Sequence, residues 1–197
     1  MAPEILAGLV LFAFVATVTP GPNNVMLTAS GANFGFRRTV PHMLGITIGF
    51  PVMIALVGLG LMQVFDAVPG SQTVLEVASV LYLLYLAWKI AHAGAPKDAS
   101  AEGRPLSFLQ AALFQWVNPK AWALALSAIA AYAPARTAAT IVTVALVFSA
   151  VSLPSISIWV VLGQQMRRFL RSTRRLTAFN WTMAALLVAS LVPVLRH

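Results

Sequence analysis

The chain has 197 residues, of which 59% are hydrophobic and 9% charged, and its mean hydropathy is +0.84. Such a composition cannot coat a water-facing surface, so an ordinary soluble domain is excluded and lipid is the matching solvent. The net charge of +8 would suggest nucleic acid in a soluble protein, but here the basic residues lie in short loops between apolar runs, so no nucleic-acid partner is expected. The absence of cysteine removes disulfides, thiolate metal sites and thiol relays.

A spanning helix needs about 20 mostly apolar residues. Six segments meet that requirement and predict an all-α integral membrane protein. The first is Ile5–Ala29, and because Met1–Glu4 carries no Lys or Arg it reads as a retained span rather than a signal peptide. Its middle is interrupted by Thr19, Pro20, Gly21, Pro22, Asn23 and Asn24. The second, Val40–Val64, carries Pro51 and a Gly45/Gly49 pair that permits close helix contact, with an internal partner expected. The third, Thr73–His92, holds Glu76 near one end and places Tyr82, Tyr85 and Trp88 on one helical face. The fourth, Ser107–Tyr132, is interrupted by Asn118, Pro119 and Lys120. The fifth, Ala138–Leu162, contains Pro154, and the sixth is Thr177–Leu195.

The loops set an orientation. Arg37 and Arg38, then Lys89, Lys97 and Arg104, then Arg167, Arg168, Arg171, Arg174 and Arg175 fall on one side, against Arg136 and Arg196 on the other. The side rich in Lys and Arg is expected to be cytoplasmic, which puts both termini outside. The Gly- and Pro-bearing linker 93–106 divides one transmembrane domain into repeat one, residues 1–92, and repeat two, residues 107–197. Three spans per half is odd, so the halves are expected to be inverted, with helices 1 and 4 broken at matching places. That is a pattern of secondary transporters.

The two breaks are the candidate substrate site. Pro20 and Pro22 remove backbone donors in mid-span. The freed carbonyls must face protein or a polar cavity, because orphaned backbone groups in hydrocarbon cost several kcal/mol each. Asn23 and Asn24 follow at once, and the resumed half-helix offers a partly positive end that suits a carboxylate. Lys120 lies about a dozen residues from each end of its span, where a charge costs about 2.5–3.5 kcal/mol on insertion scales. It is expected to hold an anionic group such as a substrate carboxylate, to cap freed carbonyls of the first span, or both. Glu76 reads first as an interfacial carboxylate and second as a partner for a substrate ammonium, a proton or the empty-state Lys120. Tyr82 is deep enough to line a cavity, and Gln115 and Trp116 precede the second break. Clustered carboxylates, histidines or thiolates, as a divalent-cation exporter needs, are not evident in the spans. Nor are the paired carboxylates or His-metal spacing of an enzyme.

The segment Thr19–Asn24 resembles the lysine exporter/homoserine–threonine exporter (LysE/RhtB) family. The resemblance continues through Gly35–Arg38, Gly45–Phe50, Tyr85–Ile90 and Phe108–Lys120, and within the family it is most similar to the cysteine/O-acetylserine exporter type. It implies a six-helix protein of the bacterial inner membrane that exports small amino acids or derivatives, without a cofactor, driven by the proton gradient or the membrane potential. It also implies that Thr19–Asn24 and Asn118–Lys120 form the substrate region. An acidic residue at Glu76 departs from the family pattern. A homodimer is compatible with the sequence, and nothing in it forces one.

Overall fold

A computed structural model describes residues 1–61, 67–68, 70–93, 104–135, 137–170 and 172–192. Its helices are α1 (Pro3–Val18), α2 (Pro22–Phe34), α3 (Phe36–Leu56, continued by a π turn Val57–Leu61), α4 (Ser71–Ala91), α5 (Phe108–Phe114, continued by a 3-10 turn Gln115–Val117), α6 (Pro119–Tyr132), α7 (Ala138–Met166) and α8 (Thr173–Ala189). No strand occurs among the described residues. The linker residues 94–103, the charged Asp66, Arg136, Arg171 and Arg196, and the expected span ends beyond 61 and 192 lie outside the described residues.

Local chemistry explains where the helices begin. Pro sits in the first turn of α1, α2 and α6, where a missing N–H costs nothing. Ser107 and Gln110 form a capping box on α5. Thr137 and Ser172 accept from the third backbone N–H of α7 and α8. α3 runs through Pro41 and Pro51, and α7 runs through Pro154, without a chain break.

Among the described residues, three helices are long and apolar enough to cross a membrane: Phe36–Gly60, Thr73–Ala91 and Ala138–Met166. The bent pair α1 and α2 adds a fourth candidate. The second, third, fifth and first expected spans coincide with these. The fourth expected span is split into α5 and α6, and the sixth coincides with the 17-residue α8; neither is long enough unbroken to pass the same length test. Outward faces are apolar: Leu11, Val74, Leu81 and Leu146 are each more than 60% exposed. Water would penalise such faces and acyl chains would not.

The packing brings the two breaks against each other. α7 lies against α1, α2 and α3; α3 also packs on α5, and α4 pairs with α8. Glycines allow the closest approaches. A Cβ on Gly31 would strike the Val160 carbonyl, and one on Gly163 would strike the Thr28 carbonyl, so α2 and α7 meet backbone to backbone. The Gly45/Gly49 pair meets α5 at Phe108, Ala111 and Ala112, so its partner is internal as expected. One core cluster joins α1, α3, α6 and α7 around Leu9, Met53, Ala125 and Phe148. Another joins α2, α4, α5 and α8 around Met26, Leu83, Phe114 and Leu187.

Candidate functional site

The first break bends the chain by 56° between α1 and α2. Pro20 and Pro22 cannot bond back to Ala16 and Val18, so the last carbonyls of α1 need other donors. They are supplied by side chains. Asn24 Nδ2 donates to the carbonyls of Thr17 and Thr19, both at 2.8 Å. Trp159 Nε1, from α7, donates to the Val18 carbonyl at 3.1 Å. Lys120 Nζ, from α6, donates to the carbonyls of Thr19 at 2.7 Å and Pro20 at 3.1 Å. Thr19 Oγ1 turns back to the Val15 carbonyl.

The second break is built differently. The 3-10 turn ends at Asn118, whose backbone is extended and whose Oδ1 accepts from the Lys120 N–H, capping α6. Just ahead of it, Gln115 is fully buried. Gln115 Nε2 donates to the Ala111 carbonyl at 2.9 Å and to Asn23 Oδ1 at 3.2 Å, while Asn23 Nδ2 donates to Gln115 Oε1 at 2.9 Å. A reciprocal amide pair therefore ties the start of α2 to the end of α5, two segments 92 residues apart.

Between the breaks lies a cavity of about 40 Å³, lined by Thr17, Gly21, Asn23, Asn24, Gln115, Asn118 and Lys120, with an apolar wall from α3, α6 and α7. That wall includes Ile46, Phe50, Leu124, Ile156 and the buried Ser152. At roughly 10–15 Å³ per water position the space holds about three waters. The Lys120 stem lies over Gly21, where a Cβ would stand 2.6 Å from its Cδ. Among the polar groups here are a cation and two carbonyls that it has come to cover. The arrangement can release a cation and expose acceptors in one movement.

The sequence-predicted residues separate into two groups. Asn23, Asn24, Gly21, Asn118 and Lys120 line one cavity, with Thr19 and Pro20 supplying the carbonyls held by Lys120. Pro22 and Pro119 open the helices that carry them. Glu76 and Tyr82 do not come to this cavity. Glu76 is exposed on α4, and the resting partners of Lys120 are the Thr19 and Pro20 carbonyls rather than that carboxylate. Tyr82 is half-buried, with its ring centroid 6.0 Å from those of Tyr85 and Phe114. Thr17, Ser152 and Phe50 carry no sequence signal of their own. They are found through the breaks, because each lies on an element the breaks bring together.

The LysE type translocator family model matches residues 14–194. The chain belongs to the LysE type translocator family. Membership makes it a membrane transport protein of an exporter family, and the matched region includes both breaks and the cavity between them. Among curated proteins, this LysE-family chain is 28% identical over 192 residues to the cysteine/O-acetylserine efflux proteins of Escherichia coli strain K12 and of Shigella sonnei strain Ss046. Each alignment covers 95% of this chain and 96% of the relative. No solved structure matches the chain.

Proposed function

We propose that this protein is a secondary active exporter of small neutral or polar amino acids or their derivatives. Cysteine-, O-acetylserine-, homoserine- or threonine-like compounds are the substrate class, and the site is the bacterial inner membrane. One observation carries the reading: Lys120 Nζ sits on the Thr19 and Pro20 carbonyls beside a cavity formed by two broken helices. An α-amino acid brings one ammonium and one carboxylate. Its ammonium replaces Nζ on the freed carbonyls, and the released Lys120 turns to its carboxylate. A substrate that fits both halves of this exchange restores every bond it breaks. A carboxylate alone leaves the Pro20 carbonyl without its Lys120 donor, at about 1–3 kcal/mol, and Thr19 with Asn24 alone.

Alternating access fits the same frame. The proposed architecture is six spans in two inverted repeats, both termini outside, with one half rocking against the other. Its support is the pairing of elements. α1, the first half of the first expected span, packs on α7 of the fifth, and α5, the first half of the fourth, packs on α3 of the second. Exchanging the halves turns one pairing into the other. The cavity is too small for an amino acid beside Lys120, so loading requires the amide pair Asn23–Gln115 and the two breaks to part. The proton gradient or membrane potential is the proposed driving force.

The test is export by Lys120→Met in cells where membrane insertion is shown to be normal. Export falls to the level of cells without the protein if Lys120 exchanges partners with substrate. Wild-type export rates in that variant would contradict the exchange.

A further inference from the structure

Nearly every polar side chain at the cavity between the breaks is held by another protein group. Thr17 Oγ1 donates to the Ala13 carbonyl, Asn24 to the Thr17 carbonyl, Gln115 to the Ala111 carbonyl and Lys120 to the Thr19 carbonyl. Asn23 pairs with Gln115, and Asn118 caps α6. Ser152 is the exception. It lines the same cavity, it is 1% exposed, and its hydroxyl makes no hydrogen bond to a described residue.

Its own helix shows that hydroxyls there are otherwise satisfied. The other hydroxyl residues of α7 are Thr140, Thr143, Ser149, Ser155 and Ser157, and each is bonded. Thr143, Ser155 and Ser157 turn back to the carbonyl four residues earlier, the local partner a helix offers to Ser and Thr. Ser149 reaches across to the Thr47 carbonyl of α3. Ser152 takes neither course. A hydroxyl in apolar surroundings is costly unless it is bonded, and the wall around this one is apolar, with Ile46, Phe50, Leu124 and Ile156. Alanine would fill the position without that cost. The hydroxyl is therefore placed for a guest of the cavity rather than for the helix.

In the exchange at Lys120 the breaks take the ammonium and carboxylate of an amino acid, and its side chain is left to meet this wall. We infer that Ser152 is a specificity-determining residue, whose hydroxyl bonds the one polar atom of a short uncharged side chain while the apolar residues enclose its carbon stem. A serine hydroxyl both donates and accepts, so it serves a hydroxyl, a thiol or an ester oxygen alike. A charged side chain would find no counter-charge in this wall, and a purely apolar one would leave the hydroxyl unpaired. This assignment rests on the exporter reading and narrows it to one chemical class of side chain.

Cysteine, threonine and homoserine all become 2-aminobutyrate when the thiol is replaced by methyl or the hydroxyl by hydrogen. Release of these four labelled compounds from proteoliposomes holding the full chain tests the assignment. Wild type is expected to release the best of the three polar compounds about tenfold faster than 2-aminobutyrate. S152A should bring that ratio to within about twofold of unity. The substitution breaks no protein hydrogen bond, so its melting temperature should not fall below that of wild type, as it would for a serine that serves only the fold. An unchanged ratio in S152A, or a ratio near one in wild type, overturns the role of Ser152 and leaves the exporter reading standing. Equal slowing of all four compounds with a lowered melting temperature assigns Ser152 to folding and overturns the role as well. Release of none of the four by wild-type protein shown to be incorporated would strike the exporter reading itself, and the role of Ser152 with it.

Discussion

At the scale of single residues, the account turns on side chains that stand in for missing backbone donors. Asn24 bridges the Thr17 and Thr19 carbonyls, and Ala in its place removes the side-chain donor to Thr17 and leaves Thr19 to Lys120 alone. The expected loss is about 1–3 kcal/mol, chiefly from Thr17, read as a lower melting temperature in detergent and poor membrane yield. A near-wild-type melting temperature for N24A would show that water already reaches those carbonyls. Asn23 and Gln115 form the one amide pair linking the two breaks, so N23A and Q115A should be non-additive. A double-mutant cycle on thermal stability should give a coupling of about 0.5–3 kcal/mol, and simple additivity would remove the pair from the closing contacts. Gly21 works through Lys120. A Cβ there pushes on the lysine stem, so G21A should slow export when Lys120 is present and add nothing to Lys120→Met. Equal slowing in both backgrounds would place the effect of Gly21 in the backbone instead.

At the scale of elements, the helix contacts depend on glycines whose partners no sequence window contains. Gly31 and Gly163 let α2 and α7 approach until backbone meets backbone, and any side chain must drive them apart. G31V and G163L should each lose folded protein, with overpacking of at least about 1–3 kcal/mol, measured as detergent-extracted monodisperse yield. G8A is the control, since a Cβ at Gly8 meets the Tyr132 ring at an ordinary 3.8 Å and should be tolerated. The same contrast explains what the sequence reveals. Pro20, Pro22 and Pro119 mark both breaks because a missing N–H acts locally. The Gly45/Gly49 pattern announces a close contact but does not say that Ala112 provides it. Lys120 is legible as a charge in mid-span, and its capping of the first break is one of the two roles that position predicts. Gln115 as the partner of Asn23 depends on a fold that joins residues 92 positions apart. Glu76 near the end of its span reads first as interfacial, and it is exposed on α4; the second reading, as the empty-state partner of Lys120, does not hold because Lys120 sits on the Thr19 and Pro20 carbonyls.

At the scale of the whole molecule, composition fixes the solvent and helix as the element, and family membership fixes transport as the activity. The orientation rests on loop charge alone. The chain contains no cysteine, so single cysteines report on sidedness without a background. In intact cells A2C and A135C should react with a membrane-impermeant maleimide, while K97C and R168C should react only after permeabilisation. The reverse pattern would invert the topology. In the proposed exchange the breaks take the groups that all α-amino acids share, which leaves selectivity among side chains to the apolar wall of Ile46, Phe50, Leu124 and Ile156. The central claim, that the cavity at the two breaks carries small amino acids outward, is tested most directly by retention of a panel of labelled amino acids. Cells with and without the protein would be compared, before and after collapse of the proton gradient. The account predicts selective, gradient-dependent loss of cysteine-, O-acetylserine-, homoserine- or threonine-like compounds from expressing cells. Equal retention across the panel, with the protein shown to be inserted, would contradict it and turn attention to divalent cations as the cargo.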